Sequence, residues 1–162
     1  MTGVTGKQDH EIGSKQRVEG IVYRTADPDN AIIDADERKL RVSFSSDEPY
    51  LRSSWWDEPW IEVLGHNEDE IDLDRMNNGA TVHYNHSRTR EDRLGAVLSA
   101  STDGHRTSAE IQFSKRESID DIWNDVEAKL IRNTSVGYKI HEKVLVKQND
   151  DGPDEYRVTR WE

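Results

Sequence analysis

The sequence predicts an α+β domain made mainly of antiparallel β-structure, on three observations. Short segments alternate apolar and polar residues with the period of a half-buried strand, clusters of turn residues separate them, and one long stretch switches to helical spacing.

The elements follow in chain order. Residues 1–16 are rich in Gly, Thr, Lys and Gln and carry no period, which suits a flexible leader and puts the domain at 17–162. Strands are expected at RVEGIVYR (17–24), KLRVSFS (39–45), WIEVLG (60–65), ATVHYNH (80–86), RLGAVLSAS (93–101), TSAEIQFS (107–114), SVGYKIHEKVLV (135–146) and EYRVTRW (155–161). Turn signals at DPDN (27–30), NNG (77–79), TDG (102–104) and NDDGPD (149–154) space them as in a meander or small barrel. In 118–133, Ile119, Ile122, Trp123, Val126, Leu130 and Ile131 fall on one helical face. Ser118 is the expected N-cap, Asp120 and Asp121 oppose the positive dipole end, and Arg132 sits in the last turn. A weaker helical turn is expected within 69–79, ended by Gly79.

Composition narrows the function classes. The 33 acidic against 22 basic side chains give a formal charge of −11, a field that repels polyanions, so nucleic acid is not an expected partner. No apolar run is long enough to span a membrane and the amino end has no signal-like core, so a protein that is neither membrane-bound nor secreted is expected. With no cysteine, any chemistry falls to Ser, Thr, His, Asp and Glu.

Three places can carry it. His83 and His86 form an H-x-x-H, but on a strand residues three apart face opposite sides, so no metal site is expected, and no cofactor. On that alternation His86 shares a face with Val82 and Tyr84 and emerges at the strand end, where it either serves as a general base or merely ends the strand. Ser135 follows the helix at its passage into a strand, two residues before Gly137; its hydroxyl is either a nucleophile held between two rigid elements or a helix C-terminal capping group. In SSWWDEPW (53–60), Trp55, Trp56 and Trp60 crowd an acidic turn, as barrel-end and loop packing or as a peptide-binding or dimer-forming patch. The acidic run HNEDEIDLD (66–74) reads as a solvated face, with binding of basic scaffold segments as the alternative.

The order of these pieces resembles the prohead, or capsid maturation, protease family of tailed phages. A strand ending in Asn-His leads through a loop to a strand carrying Gly, in YNHSRTREDRLGAV (84–97), and a Ser-x-Gly-aromatic segment follows the helix, in RNTSVGYKI (132–140). The spacing, 135 − 86 = 49 residues, fits the family, and the likeness runs from about Arg17 to the last residue through IDLDRMNNGATVHYNH (71–86). It implies a partly closed β-barrel flanked by helices, similar to herpesvirus assemblins, and a serine endopeptidase with Ser135 as nucleophile and His86 as general base. Its substrates would be scaffold protein or capsid-protein propeptides, inside the prohead in the cytoplasm of an infected or lysogenic host. A homodimer is left open.

The third catalytic member is expected to be Glu162 or His141, both weak candidates. His141 shares a face with Ser135 but lies roughly 20 Å along a straight strand, and His83 points away from the His86 face. The family's acidic residue commonly lies just past the region equivalent to 158–162, so the domain reads as truncated at its C-terminus or cut from a longer, capsid-fused polypeptide. Arg132, or an amide near Ser135, is the oxyanion candidate. The alternative function is a non-catalytic assembly module with a protease-like fold that binds scaffold or capsid protein. An unrelated β-rich ligand-binding domain is a third reading, and it requires His86 and Ser135 to lie far apart.

Overall fold

The computed structural model describes residues 11–26, 31–55, 57–87 and 89–162. Their elements run β1 (Lys15–Gln16), β2 (Val22–Ala26), β3 (Ala31–Asp34), β4 (Lys39–Ser46), β5 (Tyr50–Arg52), β6 (Trp60–Leu64), α1 (Asp74–Asn77), β7 (Thr81–His83), β8 (Arg93–Thr102), β9 (Arg106–Phe113), α2 (Asp120–Glu127), β10 (Thr134–Tyr138), β11 (Ile140–Lys147) and β12 (Asp154–Trp161). One sheet has the order β3-β4-β9-β8-β7 and is antiparallel throughout. A second has the order β1-β11-β12-β6-β5, in which β12 and β6 run parallel. A two-stranded ribbon, β2 with β10, packs against β4. Leu40, Val42 and Phe44 of β4, Ile111 and Phe113 of β9, Leu64, Tyr138, Val158 and Trp161 fill the space between, with Ile119 and Trp123 of the helical segment closing the core.

The mainly antiparallel α+β architecture agrees with the sequence, but the barrel does not close. Among the described residues the strands form three separate sheets. The expected continuous strand 135–146 breaks at Lys139, whose N–H donates to the Glu162 carbonyl (2.9 Å) and whose carbonyl accepts from Glu162 N–H (3.1 Å). The chain thereby leaves the β2–β10 ribbon and enters the β12 sheet.

The helix is also shorter than 118–133. Lys129 takes φ 58°, Lys129 N–H bonds Val126 O (3.0 Å) and Leu130 N–H bonds Asp125 O (2.8 Å), the paired bonds that end a helix at a left-handed residue. Leu130, 74% exposed, and Ile131 therefore lie beyond it, and Ser135 stands in a strand eight residues past Glu127. At the start a 3₁₀ turn over Glu117–Ile119 precedes Asp120, and no side chain caps the helix, so Ser118 does not play the N-cap part expected of it. Asp120 instead pairs with Arg38 at 2.7 Å. Gly79 follows α1 at φ 80° and closes it as expected.

Of the leader expected over 1–16, residues 1–10 lie outside the described residues, while Lys15 and Gln16 pair with Val144 and Lys143 and so belong to the fold. Trp55 is 98% exposed, Trp56 lies outside the described residues, and Trp60 is half-buried in β6. The ammonium of Lys143 sits between the Trp60 and Tyr156 rings, 3.8 and 4.0 Å from their centroids, and burial pushes its pKa down to about 8.

Candidate active site

β7 ends at His83, three residues short of the expected strand. Asn85 and His86 both take left-handed backbone, φ 51° and 56°, a conformation that Asn and His tolerate better than most residues. The turn is fixed from the following loop. Tyr84 N–H bonds Asp92 O at 2.8 Å, and the Asp92 carboxylate accepts from the hydroxyls of Ser87 and Thr89, which hold it below the usual carboxylate range. The alternation that put His86 on one face with Val82 and Tyr84 stops where the strand stops. His86 is lifted out of the sheet toward β10, while His83 stays half-buried, its Nδ1 without a hydrogen-bond partner among the described residues.

Ser135 lies on β10 opposite Thr25 of β2. Its Oγ is 3.0 Å from His86 Nε2 and 2.9 Å from the Arg24 carbonyl oxygen. The hydroxyl has one proton for these two acceptors. Donating to Arg24, it receives Nε2–H from the imidazole; with Nε2 bare, it can turn and donate to His86, the arrangement a general base needs. The capping reading of Ser135 does not fit, since its hydroxyl meets a strand carbonyl and an imidazole.

Arg24 is pinned from below. Its guanidinium is buried, donates to the Glu48 carbonyl and lies 3.8 Å from Glu62 Oε1. Glu62 is fully buried and is gripped by the Arg52 fork at 2.9 and 3.0 Å and by the Tyr138 hydroxyl. Burial, with the carboxylate beside it, raises the pKa of that hydroxyl. A charged cluster thus fixes β2, and the carbonyl of Arg24 reaches Ser135 from it.

Beside the pair, the Tyr23 ring stands 4.5 Å from the His86 ring, centroid to centroid, at 59°. Tyr23 lies opposite Gly137 in the ribbon, and a Cβ on Gly137 would fall 2.6 Å from Tyr23 Cε1. Only a residue without a side chain leaves room for that ring.

The other candidates stand elsewhere. His141, on β11, and Glu162 face each other, Nε2 to Oε1 3.5 Å, and Ser135 is the one polar partner of His86 among the described residues. The straight-strand distance expected from Ser135 to His141 does not apply, because the break at Lys139 separates their sheets. Arg132 is exposed in the loop before β10. Among the described residues no group of three or more His, Asp or Glu could hold a metal ion, and no helix is long and apolar enough to cross a membrane. Sequence reasoning missed Tyr23 and the Arg24 carbonyl; the Gly137 of Ser-x-Gly was the available signal, since a strand glycine marks a close approach.

Compared with known proteins, the chain is 38% identical over 104 residues to the major capsid protein of Halomonas phage phiHAP-1, an alignment covering 63% of this chain. The alignment covers only 17% of that relative's length. The chain is thus related in sequence to a phage capsid protein. No family model matches it, and no solved structure matches it.

Proposed function

We propose that this chain works in phage head assembly as a serine endopeptidase acting on scaffold or capsid-protein propeptides. The relation to a phage major capsid protein supports the assembly setting, and the 3.0 Å separation of Ser135 Oγ and His86 Nε2 carries the hydrolytic reading. His86 takes the Ser135 proton as Oγ adds to the scissile carbonyl. The tetrahedral intermediate then expels the amine, which leaves with the proton from His86. Water, deprotonated by His86, releases the acyl group and restores the hydroxyl. Both side chains are exposed, so an extended peptide can reach them. A relative of which the alignment covers 17% agrees with a domain carried within a longer capsid polypeptide, and the assemblin likeness rests on the motifs around His86 and Ser135.

A second reading has its own support. The relative bears the name of a capsid protein, and no acid backs His86 among the described residues, which favours a non-catalytic module that binds scaffold or capsid protein. The unrelated ligand-binding reading does not fit the 3.0 Å contact.

A serine-directed fluorophosphonate with mass-spectrometric mapping decides between the first two. The hydrolase reading expects an adduct on Ser135, lost in Ser135→Ala with the melting curve unchanged. No adduct at Ser135 would leave the binding module.

A further inference from the structure

Resting on the hydrolase reading, we infer that Tyr23 is the positioning residue for His86, its ring taking over part of the orienting work that an acid does in a Ser-His-acid triad. Three facts converge on it. His86 sits on a left-handed turn, is exposed, and has Ser135 as its one polar partner among the described residues, so no hydrogen bond at Nδ1 sets its ring angle. An imidazole held by one bond at Nε2 swings about that bond, and a small misplacement of a base costs catalysis steeply. The Tyr23 ring, 4.5 Å away and tilted at 59°, supplies the second restraint.

Tyr23 is itself placed from two sides. Its backbone is locked in the ribbon opposite Gly137, and its carbonyl accepts from Arg52 Nη1 at 2.7 Å, tying it to the charged cluster that fixes Arg24. Its ring lies over Gly137, where any Cβ would meet Cε1 at 2.6 Å. The glycine two residues after Ser135 therefore serves the histidine: it clears the floor on which the Tyr23 ring rests against His86. Tyr23 touches no reacting atom in this arrangement. Its part is carried by the ring face, and Phe should replace it.

The full chain, its Tyr23→Ala, Tyr23→Phe and Gly137→Ala variants, and the fluorophosphonate probe test this. Tyr23→Ala should lower kinact about 10- to 100-fold with KI nearly unchanged, Tyr23→Phe should keep wild-type kinact, and Gly137→Ala, which displaces the ring, should fall with Tyr23→Ala. By NMR, the His86 ring protons should lose their ring-current shift in Tyr23→Ala and keep it in Tyr23→Phe. The shift also identifies a variant that lost structure more widely, because the other imidazole resonances would then move too. Equal kinact in wild type and Tyr23→Ala, on a wild-type chain that labels, overturns the role of Tyr23 and leaves the hydrolase reading standing. A wild-type chain that does not label overturns both.

Discussion

Among the described residues two serine–histidine pairs of the same length lie in opposite surroundings. Ser45 Oγ lies 3.0 Å from His66 Nε2, as Ser135 Oγ does from His86 Nε2. Ser45 and His66 are both fully buried, and His66 Nδ1 lies 2.9 Å from the Leu64 carbonyl, to which it donates. That bond leaves Nε2 bare to accept the Ser45 hydroxyl, so the buried pair has the tautomer a general base needs and nothing to act on. The exposed pair has access, but its serine proton is shared with the Arg24 carbonyl and its imidazole leans on a ring. Distance alone therefore does not make a site. Water and substrate access make one pair a candidate for chemistry, and satisfied burial makes the other a structural strut.

Substitutions that separate these roles break or sharpen the contrast. The largest effect is expected at His86→Asn, which keeps a residue at ease in the left-handed backbone there and should cut fluorophosphonate labelling of Ser135 by about 10³-fold or more while the urea midpoint shifts little. The reverse is expected inside. His66→Ala should cost about 2–4 kcal/mol in urea unfolding, since it opens a cavity beside Trp161 and strands the Ser45 hydroxyl and the Leu64 carbonyl, with the labelling rate of folded protein unchanged.

The smallest effect is in pH dependence. Burial lowers the pKa of His66 below its ordinary value, against the Leu64 bond and the nearby Asp47 and Glu70 carboxylates, which raise it; Arg24 adds to the lowering. The unfolded chain then binds the proton more readily than the native one, so this contribution is complete above about pH 6.5 and is lost as pH falls below it. The slope cannot exceed about 1.4 kcal/mol per pH unit. The surface pair His105–Asp47 works oppositely, because the carboxylate raises the His105 pKa and stability from it is lost as pH rises. Urea midpoints from pH 7 to 5 should therefore be compared between wild type and His66→Gln, and the wild type should fall the more steeply. Parallel curves would remove His66 as the source.

What the sequence revealed follows from how local each signal is. The strand alternation of 39–45 and 107–114 and the apolar face of Ile119 and Trp123 are read within one element, and each is found. The nearness of His86 and Ser135 was legible because each sits in a short motif and the two keep a fixed order. The exact ends were not: Lys129 and Asn85 look ordinary until their backbone turns left-handed, and Lys139 breaks a strand through a bond to Glu162 far down the chain. Tyr23 reaches the site only through a strand pairing whose register no local pattern announces. His66, inside an acidic run that reads as solvated surface, is among the most buried side chains of the protein.

The parallel pairing of β6 with β12 sets a schedule for folding. Asp154 lies opposite Trp60 and Val158 opposite Leu64, so the partners are separated by 154 − 60 = 94 residues, and β12 also carries β11 on its other side. During synthesis β6 leaves the ribosome with only the three-residue β5 to pair with, long before its main neighbour exists. The β3-β4-β9-β8-β7 sheet has all its strands by Phe113 and can form first. The second sheet must wait for its late central strand, and until then the free edge of β6 stays open to wrong partners, so the order of synthesis bears on folding yield.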